Sequence, residues 1–220
     1  MIAREPGVGR GASVQRVTTQ QLAAGIGLLV ATVIGALGPT VPQLQAQTPA
    51  VTPPCWIRGD PADLELRISP LDSAAVVVAD ERIKVCYGRP RALGRPIMGR
   101  VVPYEETWRF GANEATTIFL PVPVAFGDVE VEPGRYSLYT IPGPEGWRMV
   151  VNADWKRWGI PIDSTVRAAD VASIAVRPGR TPEHVEMFTI SLVPVDSGTA
   201  LLTVAWERTQ LEIPIVARRE

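Results

Sequence analysis

The chain has 220 residues, a formal net charge of −1 and 46% hydrophobic residues, which is typical of one or two globular domains. A near-neutral charge provides no strongly basic surface, so nucleic acid is not an expected partner. The single histidine excludes a metal site built from several histidines, and we predict neither a bound metal nor a cofactor.

Residues 1–46 have the pattern of a secretory signal peptide. Three arginines precede a charge-free apolar run, residues 22–37, and Ala46 supplies the small residue expected at a cleavage site. We therefore predict a periplasmic or extracellular protein that has no membrane attachment after cleavage. The alternative is an uncleaved N-terminal anchor, because the apolar run is near the lower length limit for a membrane span.

A proline-rich segment, residues 47–61, follows the signal and is predicted to be an extended linker. The two cysteines of the chain, Cys55 and Cys86, both belong to the exported part. Because an oxidising compartment favours disulfides, we predict a bridge between them. Two free thiols are the alternative.

Residues 62–220 are predicted to form one all-β domain. Short runs with strand-like composition recur between glycine- and proline-rich turns. The predicted strands lie at residues 64–68, 74–78, 82–88, 115–120, 129–131, 135–141, 147–152, 171–177, 184–193, 199–206 and 211–216. No segment after the signal has a sustained helical repeat. About ten short strands at this spacing indicate a single antiparallel β-sandwich.

Two irregular segments interrupt the strands. Residues 89–107 contain prolines and glycines that break any regular element, and a loop of this length is more often functional than incidental. Residues 154–165 form the second segment, for which we predict one short helical turn. The candidate functional residues are concentrated in and after the first loop.

The segment Tyr87–Leu120 begins with the pattern YGRPxxxGRxIxGxVxPYxxxWRxGANEAT. PGxYSLYTIP, a W-x-x-x-x-N strand and H-V-E-x-F-T-I follow it in order. With these motifs, residues 68–215 resemble a family of exported bacterial proteins catalogued as domain of unknown function 2911. The resemblance implies a secreted or periplasmic β-rich domain of unassigned activity. Phe110 and Arg135 replace small polar residues expected in the pattern, and residues 159–163 lack an expected aromatic.

The loop carries residue types suited to ligand binding. Arginine offers donors for carboxylate or phosphate, asparagine both donates and accepts, and tryptophan offers a flat surface for a glycan. We predict a pocket for an unidentified small molecule or glycan built from Arg89, Arg95, Trp108, Arg109, Asn113 and Glu114. The alternative is structural: Arg109 pairs with an acid such as Glu114, Asn113 adopts a positive φ, and the motif closes one end of the sandwich.

His184 and Glu186 form a second cluster, because residues two apart on a strand point to the same side. That side also carries Phe188, so the pair is expected at the rim of the core, bordering the loop pocket. Our leading prediction is a binding or structural module. The alternative is a hydrolase or lyase in which Glu114 or Glu186 is the base, His184 is the acid, and Arg109 holds an anionic substrate.

Overall fold

The computed structural model describes residues 52–218 of the chain. The predicted signal peptide, residues 1–46, lies outside the described residues, and its cleavage stays a prediction. A short 3-10 helix, Pro61–Leu66, precedes the strands, and one α-helical turn, α1 (Ser164–Arg167), interrupts them. Within the described residues, no helix is both long enough and apolar enough to cross a membrane. The ten strands of this range are β1 (Leu71–Val78), β2 (Glu81–Gly88), β3 (Thr116–Leu120), β4 (Val124–Phe126), β5 (Val129–Val131), β6 (Gly134–Ile141), β7 (Trp147–Asn152), β8 (Asp170–Val176), β9 (Gly179–Pro194) and β10 (Thr199–Ala217).

The strands form two antiparallel sheets that pack face to face. One sheet has the order β1-β2-β3-β6-β7-β8 and the other has the order β5-β4-β10-β9. Side chains along a strand alternate between its two faces, so every second residue enters the space between the sheets. In β2, Ile83, Val85 and Tyr87 point into this core and are at most 2% exposed. The predicted all-β sandwich of about ten strands is confirmed.

The strand predicted for residues 64–68 is wrong. Pro61–Leu66 forms a 3-10 helix, capped by Asp60, whose carboxylate accepts a backbone hydrogen bond. Proline is well suited to the first turn of a helix, since its missing N–H would be unpaired there. Leu66 and Ile68 are 82% and 87% exposed. The apolar alternation therefore has no buried face, and without one it does not specify a strand.

The second sheet differs from the prediction in two places. The sequence prediction does not include β4, Val124–Phe126. The strands predicted at residues 199–206 and 211–216 are one strand, β10. Its register with β9 shifts on both sides of Glu207, which has a φ of 56°. A bulge of this kind bends a strand without ending it, so the polar run after Trp206 remains within β10.

The irregular segment 153–169 covers the outer face of the six-stranded sheet. Asn152 Nδ2 donates to the Val166 carbonyl oxygen at 2.6 Å, and Ser137 Oγ donates to the Asp154 carbonyl oxygen at 3.0 Å. Both side chains point away from the core between the sheets, yet both are 0% exposed. Polar residues on this face are therefore buried under the segment and bonded to its backbone.

Residues 52–60 contain no helix or strand but are attached to the outer side of β2. A disulfide joins Cys55 to Cys86, with the two Cα atoms 5.7 Å apart. Lys84, on the same side of the strand as Cys86, donates from Nζ to the Pro53 carbonyl oxygen at 3.3 Å. The segment that the sequence predicts as a linker is thus held against the sandwich.

Replacement of Cys55 and Cys86 by serine is expected to lower the free energy of unfolding by about 3–4 kcal/mol. The reason is that the bridge links residues 31 positions apart and restricts the unfolded chain. Urea unfolding of the oxidised wild type and the double variant measures the difference. Reduced wild type should match the variant, and equal stability of the oxidised and reduced wild type would contradict the prediction.

Candidate functional site

The loop after β2 is anchored along β9, an edge strand of the smaller sheet. The Phe188 amide donates to the Pro90 carbonyl oxygen at 2.9 Å, and the Ala92 amide donates to the Glu186 carbonyl oxygen at 2.8 Å. Further along the loop, Ile97 and Val102 are 0% exposed and belong to the core. The loop therefore connects the two sheets and contributes to the core that they share.

The predicted ligand-binding arginines Arg89 and Arg95 bond to the protein itself. Arg89 forms an ion pair with Asp72 at 3.1 Å and donates to the Phe188 carbonyl oxygen and to the Thr189 hydroxyl. Arg95 donates to two carbonyl oxygens of its own loop at 2.8 and 2.9 Å. Both guanidinium groups thus stabilise the loop, which favours the structural alternative for these two residues.

Trp108 lies in an aromatic cluster and is partly buried against the core. Its ring stacks on Trp206 with an interplanar angle of 17° and a centroid distance of 5.8 Å. It also makes edge contacts with Phe110, Trp147 and Phe188. Such rings bury a large apolar area, and edge contacts between them add further stabilisation. Trp108 therefore joins the loop to the core.

Glu114 is a buried carboxylate with its own counter-ion. It is 4% exposed, and the two guanidinium nitrogens of Arg67 donate to its two oxygens at 2.7 and 2.8 Å. The Arg58 amide adds a third bond at 2.8 Å. Burial alone would raise the pKa of Glu114, but the hydrogen bonds from Arg67 and Arg58 and the Arg67 charge outweigh it and lower the pKa. Glu114 therefore stays ionised, which makes it a weak general base.

Arg109 and Asn113 hold the end of the motif in place. Asn113 has a φ of 63°, and its side-chain amide donates to the Ser69 carbonyl oxygen at 2.9 Å. Arg109 donates to the Gly111 carbonyl oxygen at 3.2 Å, and burial lowers the pKa of its guanidinium. The sequence left open a pairing of Arg109 with Glu114. The structure does not show this pairing, because the Glu114 carboxylate forms its ion pair with Arg67.

Sequence reasoning missed Arg67 and Arg58 as the partners of Glu114. Arg67 lies 47 positions before the carboxylate, and Arg58 lies 56 positions before it. The general requirement that a buried carboxylate be paired was the available signal, but it does not say which of the twenty arginines provides the charge. The pairing depends on the path of the N-terminal segment across the sheet.

His184 and Glu186 contact each other but do not contact Glu114. The His184 Nε2 atom lies 3.3 Å from a Glu186 oxygen, and both side chains are almost half exposed. Glu186 also accepts a hydrogen bond from the Leu93 amide at 2.9 Å. This bond makes the larger contribution, and the bond with His184 the smaller one, to a lowered pKa of Glu186. No group of three or more histidine, cysteine and acidic side chains in residues 52–218 is arranged to hold a metal. The pair thus borders the long loop, whereas Glu114 is bonded to the N-terminal segment.

A cavity of about 420 Å³ lies beside the same loop, and none of the six predicted ligand-binding residues lines it. The cavity lies between the long loop, the β6–β7 turn, the β8–β9 turn and the bulge of β10. Tyr104 is 39% exposed and contributes one wall. The side chains that give the cavity its chemistry are Met98, Tyr104, Trp147, Arg180, Glu207 and Arg208. The sequence signal that could have pointed to this cavity was Tyr104, an aromatic residue within the motif quoted above.

Comparison with protein-family models matches residues 69–215 to the family described as "Protein of unknown function (DUF2911)". The chain belongs to this family. A search of curated proteins and a search of solved structures each found no match. The DUF2911 match includes the long loop, the Tyr104 cavity and the His184–Glu186 pair, whereas Arg58 and Arg67 precede it.

Two glycines of this DUF2911 domain allow backbone segments to approach closely. A Cβ atom at Gly88 would overlap the carbonyl oxygen of Ala112. A Cβ atom at Gly159 would lie 2.6 Å from the Arg109 side chain and 2.8 Å from the Asn113 carbonyl oxygen. The end of the motif is therefore held tightly between β2 and the segment that covers the outer sheet face.

Replacement of Glu114 by glutamine is expected to destabilise the protein by about 3 kcal/mol at pH 7, because it leaves the half-buried Arg67 charge unpaired. The folded-state pKa of Glu114 is depressed, so the ion pair stabilises the protein above the ordinary value of 4.5 and loses this effect as the pH falls through the folded-state pKa. Urea unfolding of both proteins from pH 7 down to acid pH measures the difference.

The control is Glu65→Gln, which removes an exposed carboxylate from the same N-terminal segment and should change the stability by less than about 0.5 kcal/mol. A Glu114→Gln effect as small as that of Glu65→Gln would contradict the role of the ion pair. A difference in the free energy of unfolding between the wild type and Glu114→Gln that stays as large at acid pH as at pH 7 would also contradict it.

Proposed function

We propose that this DUF2911 protein is an exported, non-catalytic β-sandwich module that binds a small polar ligand or glycan fragment in the Tyr104 cavity. The observation that carries the proposal is the cavity itself. It combines a partly exposed aromatic ring with two arginines, at the side of the loop that carries the family motif. Its volume of about 420 Å³ lies within the usual range for small-molecule sites.

The chemistry of the cavity favours a negatively charged ligand with a flat or ring-shaped body. Arg180 and Arg208 outnumber Glu207, whose carboxylate accepts a bond from the Ile97 amide at 2.9 Å, while Arg208 donates one of its protons to the Pro182 carbonyl oxygen at 2.7 Å. Arginine donors suit a carboxylate, and the face of Tyr104 suits a sugar or planar ring. A sugar acid has both features, so sugar acids are the first class to test.

The contacts of the other motif residues support binding rather than catalysis. Glu114 is ionised and bonded to Arg67, so it has no free proton-transfer role. His184 and Glu186 contact each other on an exposed strand, and neither lines the Tyr104 cavity. A hydrolase or lyase needs an acid, a base and an anchor around one cleft. No observation favours that alternative over a binding module.

The export part of the proposal rests on the disulfide and on the pattern of residues 1–46. A bridge between Cys55 and Cys86 is typical of proteins in oxidising compartments. Intact-mass analysis of the protein from its native host should detect residues 47–220 in the periplasmic or culture fraction, with two hydrogens fewer than the reduced chain. Recovery of the full-length, reduced chain from the cytoplasm would refute export.

The ligand site is tested by a thermal-shift screen of hexuronic acids, followed by calorimetry of any compound that stabilises the wild type. Tyr104→Ala and Arg180→Gln are each expected to weaken binding about tenfold or more, since they remove the ring face and one of the two guanidinium groups. Arg100→Gln is the matched control, because Arg100 is an exposed arginine of the same loop outside the cavity. Equal losses in all three variants would contradict this position for the site.

A further inference from the structure

A second and larger groove lies on the outer face of the six-stranded sheet, beside α1. It has a volume of about 670 Å³, is widely open to solvent and is lined by residues of β6, β7, β8 and α1. The side chains on which its chemistry depends are Tyr139, Ile141, Arg148, Val150, Arg167 and Val171. The groove shares no lining residue with the Tyr104 cavity, so whatever it binds is independent of the function proposed above.

The base of the groove is held by a polar network that joins two buried side chains, Tyr139 and Asn152, to the exposed Asp170. Tyr139 is 1% exposed, and its hydroxyl donates to one oxygen of Asp170 at 2.8 Å. Asn152 Nδ2 donates to the other Asp170 oxygen at 2.8 Å. Burial and the neighbouring carboxylate raise the pKa of Tyr139 above its ordinary value, so the phenol keeps its proton. Each Asp170 oxygen therefore accepts one hydrogen bond, and these bonds join the start of β8 to β6 and β7.

The walls of the groove carry two arginines, Arg148 and Arg167, that have no side-chain partner among the described residues. In residues 52–218, neither Arg148 nor Arg167 forms a salt bridge or a side-chain hydrogen bond with another residue. Against the single carboxylate of Asp170, these two guanidinium groups leave a net positive lining. Arginines at other sites of this protein, such as Arg67 and Arg89, are bonded internally.

The groove also offers apolar surface next to the arginines. Val171 is 48% exposed and Ile141 is half-buried, whereas Val150, which also lines the groove, is only 4% exposed. A simple inorganic anion would use the arginines but would leave this apolar surface in contact with water. A ligand with a charged head and an apolar body would use both, and burial of the apolar part would add to its affinity.

From this combination we infer that the groove is a second binding site, which takes an amphipathic carboxylate. Arg148 and Arg167 hold the carboxylate through their planar donor groups, and the apolar chain or ring lies on Val171 and Ile141. The hydrogen bond from Tyr139 to Asp170 holds β6 and β8 together at the base of the groove. The ligand class is set by this pairing of two guanidinium groups with the exposed Val171 and the half-buried Ile141.

Calorimetric titration of the full exported chain with octanoate, acetate, octanamide and inorganic phosphate tests the inference. Octanoate is expected to bind about tenfold or more tightly than acetate, because only octanoate covers the apolar surface. Octanamide should also bind about tenfold more weakly than octanoate, because it lacks the charge. Phosphate binding that equals or exceeds octanoate binding would indicate a simple anion site and would overturn the inference. Absence of octanoate binding would overturn it as well.

Variants locate the site. Arg148→Gln and Arg167→Gln should each weaken octanoate binding about tenfold, and Val171→Ser should weaken octanoate but not acetate. Arg177→Gln is the matched control, because Arg177 is an exposed arginine that follows β8 outside the groove. All four side chains are exposed, and circular dichroism of each variant checks that its fold is retained.

Tyr104→Ala separates this site from the Tyr104 cavity. Its octanoate affinity should equal that of the wild type, even if it no longer binds any ligand of the first site. Loss of octanoate binding in Tyr104→Ala, with normal binding in the two arginine variants of the groove, would place octanoate in the Tyr104 cavity and overturn the inference.

Discussion

The ion pair between Glu114 and Arg67 is the constraint on which the arrangement of the motif depends. A carboxylate that is 4% exposed must be paired, because an isolated buried charge costs several kcal/mol. The charge comes from the N-terminal segment, which the disulfide between Cys55 and Cys86 also holds against the sheet. The segment and the family motif therefore stabilise each other.

Several residues of the family motif bond to or pack within the protein and do not face a ligand. Arg89, Arg95 and Trp108 bond to or pack against their own protein. The groups that we propose for ligand binding are the partly exposed Tyr104, which is itself a motif residue, and the arginines of the groove beside α1. A motif can mark a family because it maintains the fold, and it does not by itself identify a ligand.

Strands with a buried face were predictable from sequence because alternation and turn residues are local signals. The match between predicted and observed bounds is close for β7, residues 147–152, where an apolar core face alternates with outward residues. Prediction failed at residues 64–68, whose apolar side chains face solvent, and at β10, where a bulge at Glu207 resembles a turn. In both cases the deciding interaction is with residues distant in sequence.

By itself, the sequence determined the class of fold, the family pattern and the presence of two cysteines suited to an oxidising compartment. Only the tertiary structure decided which arginine pairs with Glu114, that Trp108 packs against the core and that Arg148 and Arg167 face a common groove. The physical reason is that local periodicity reports which side of a strand is buried. The partner of a charge or a ring depends instead on how segments tens of residues apart are brought together.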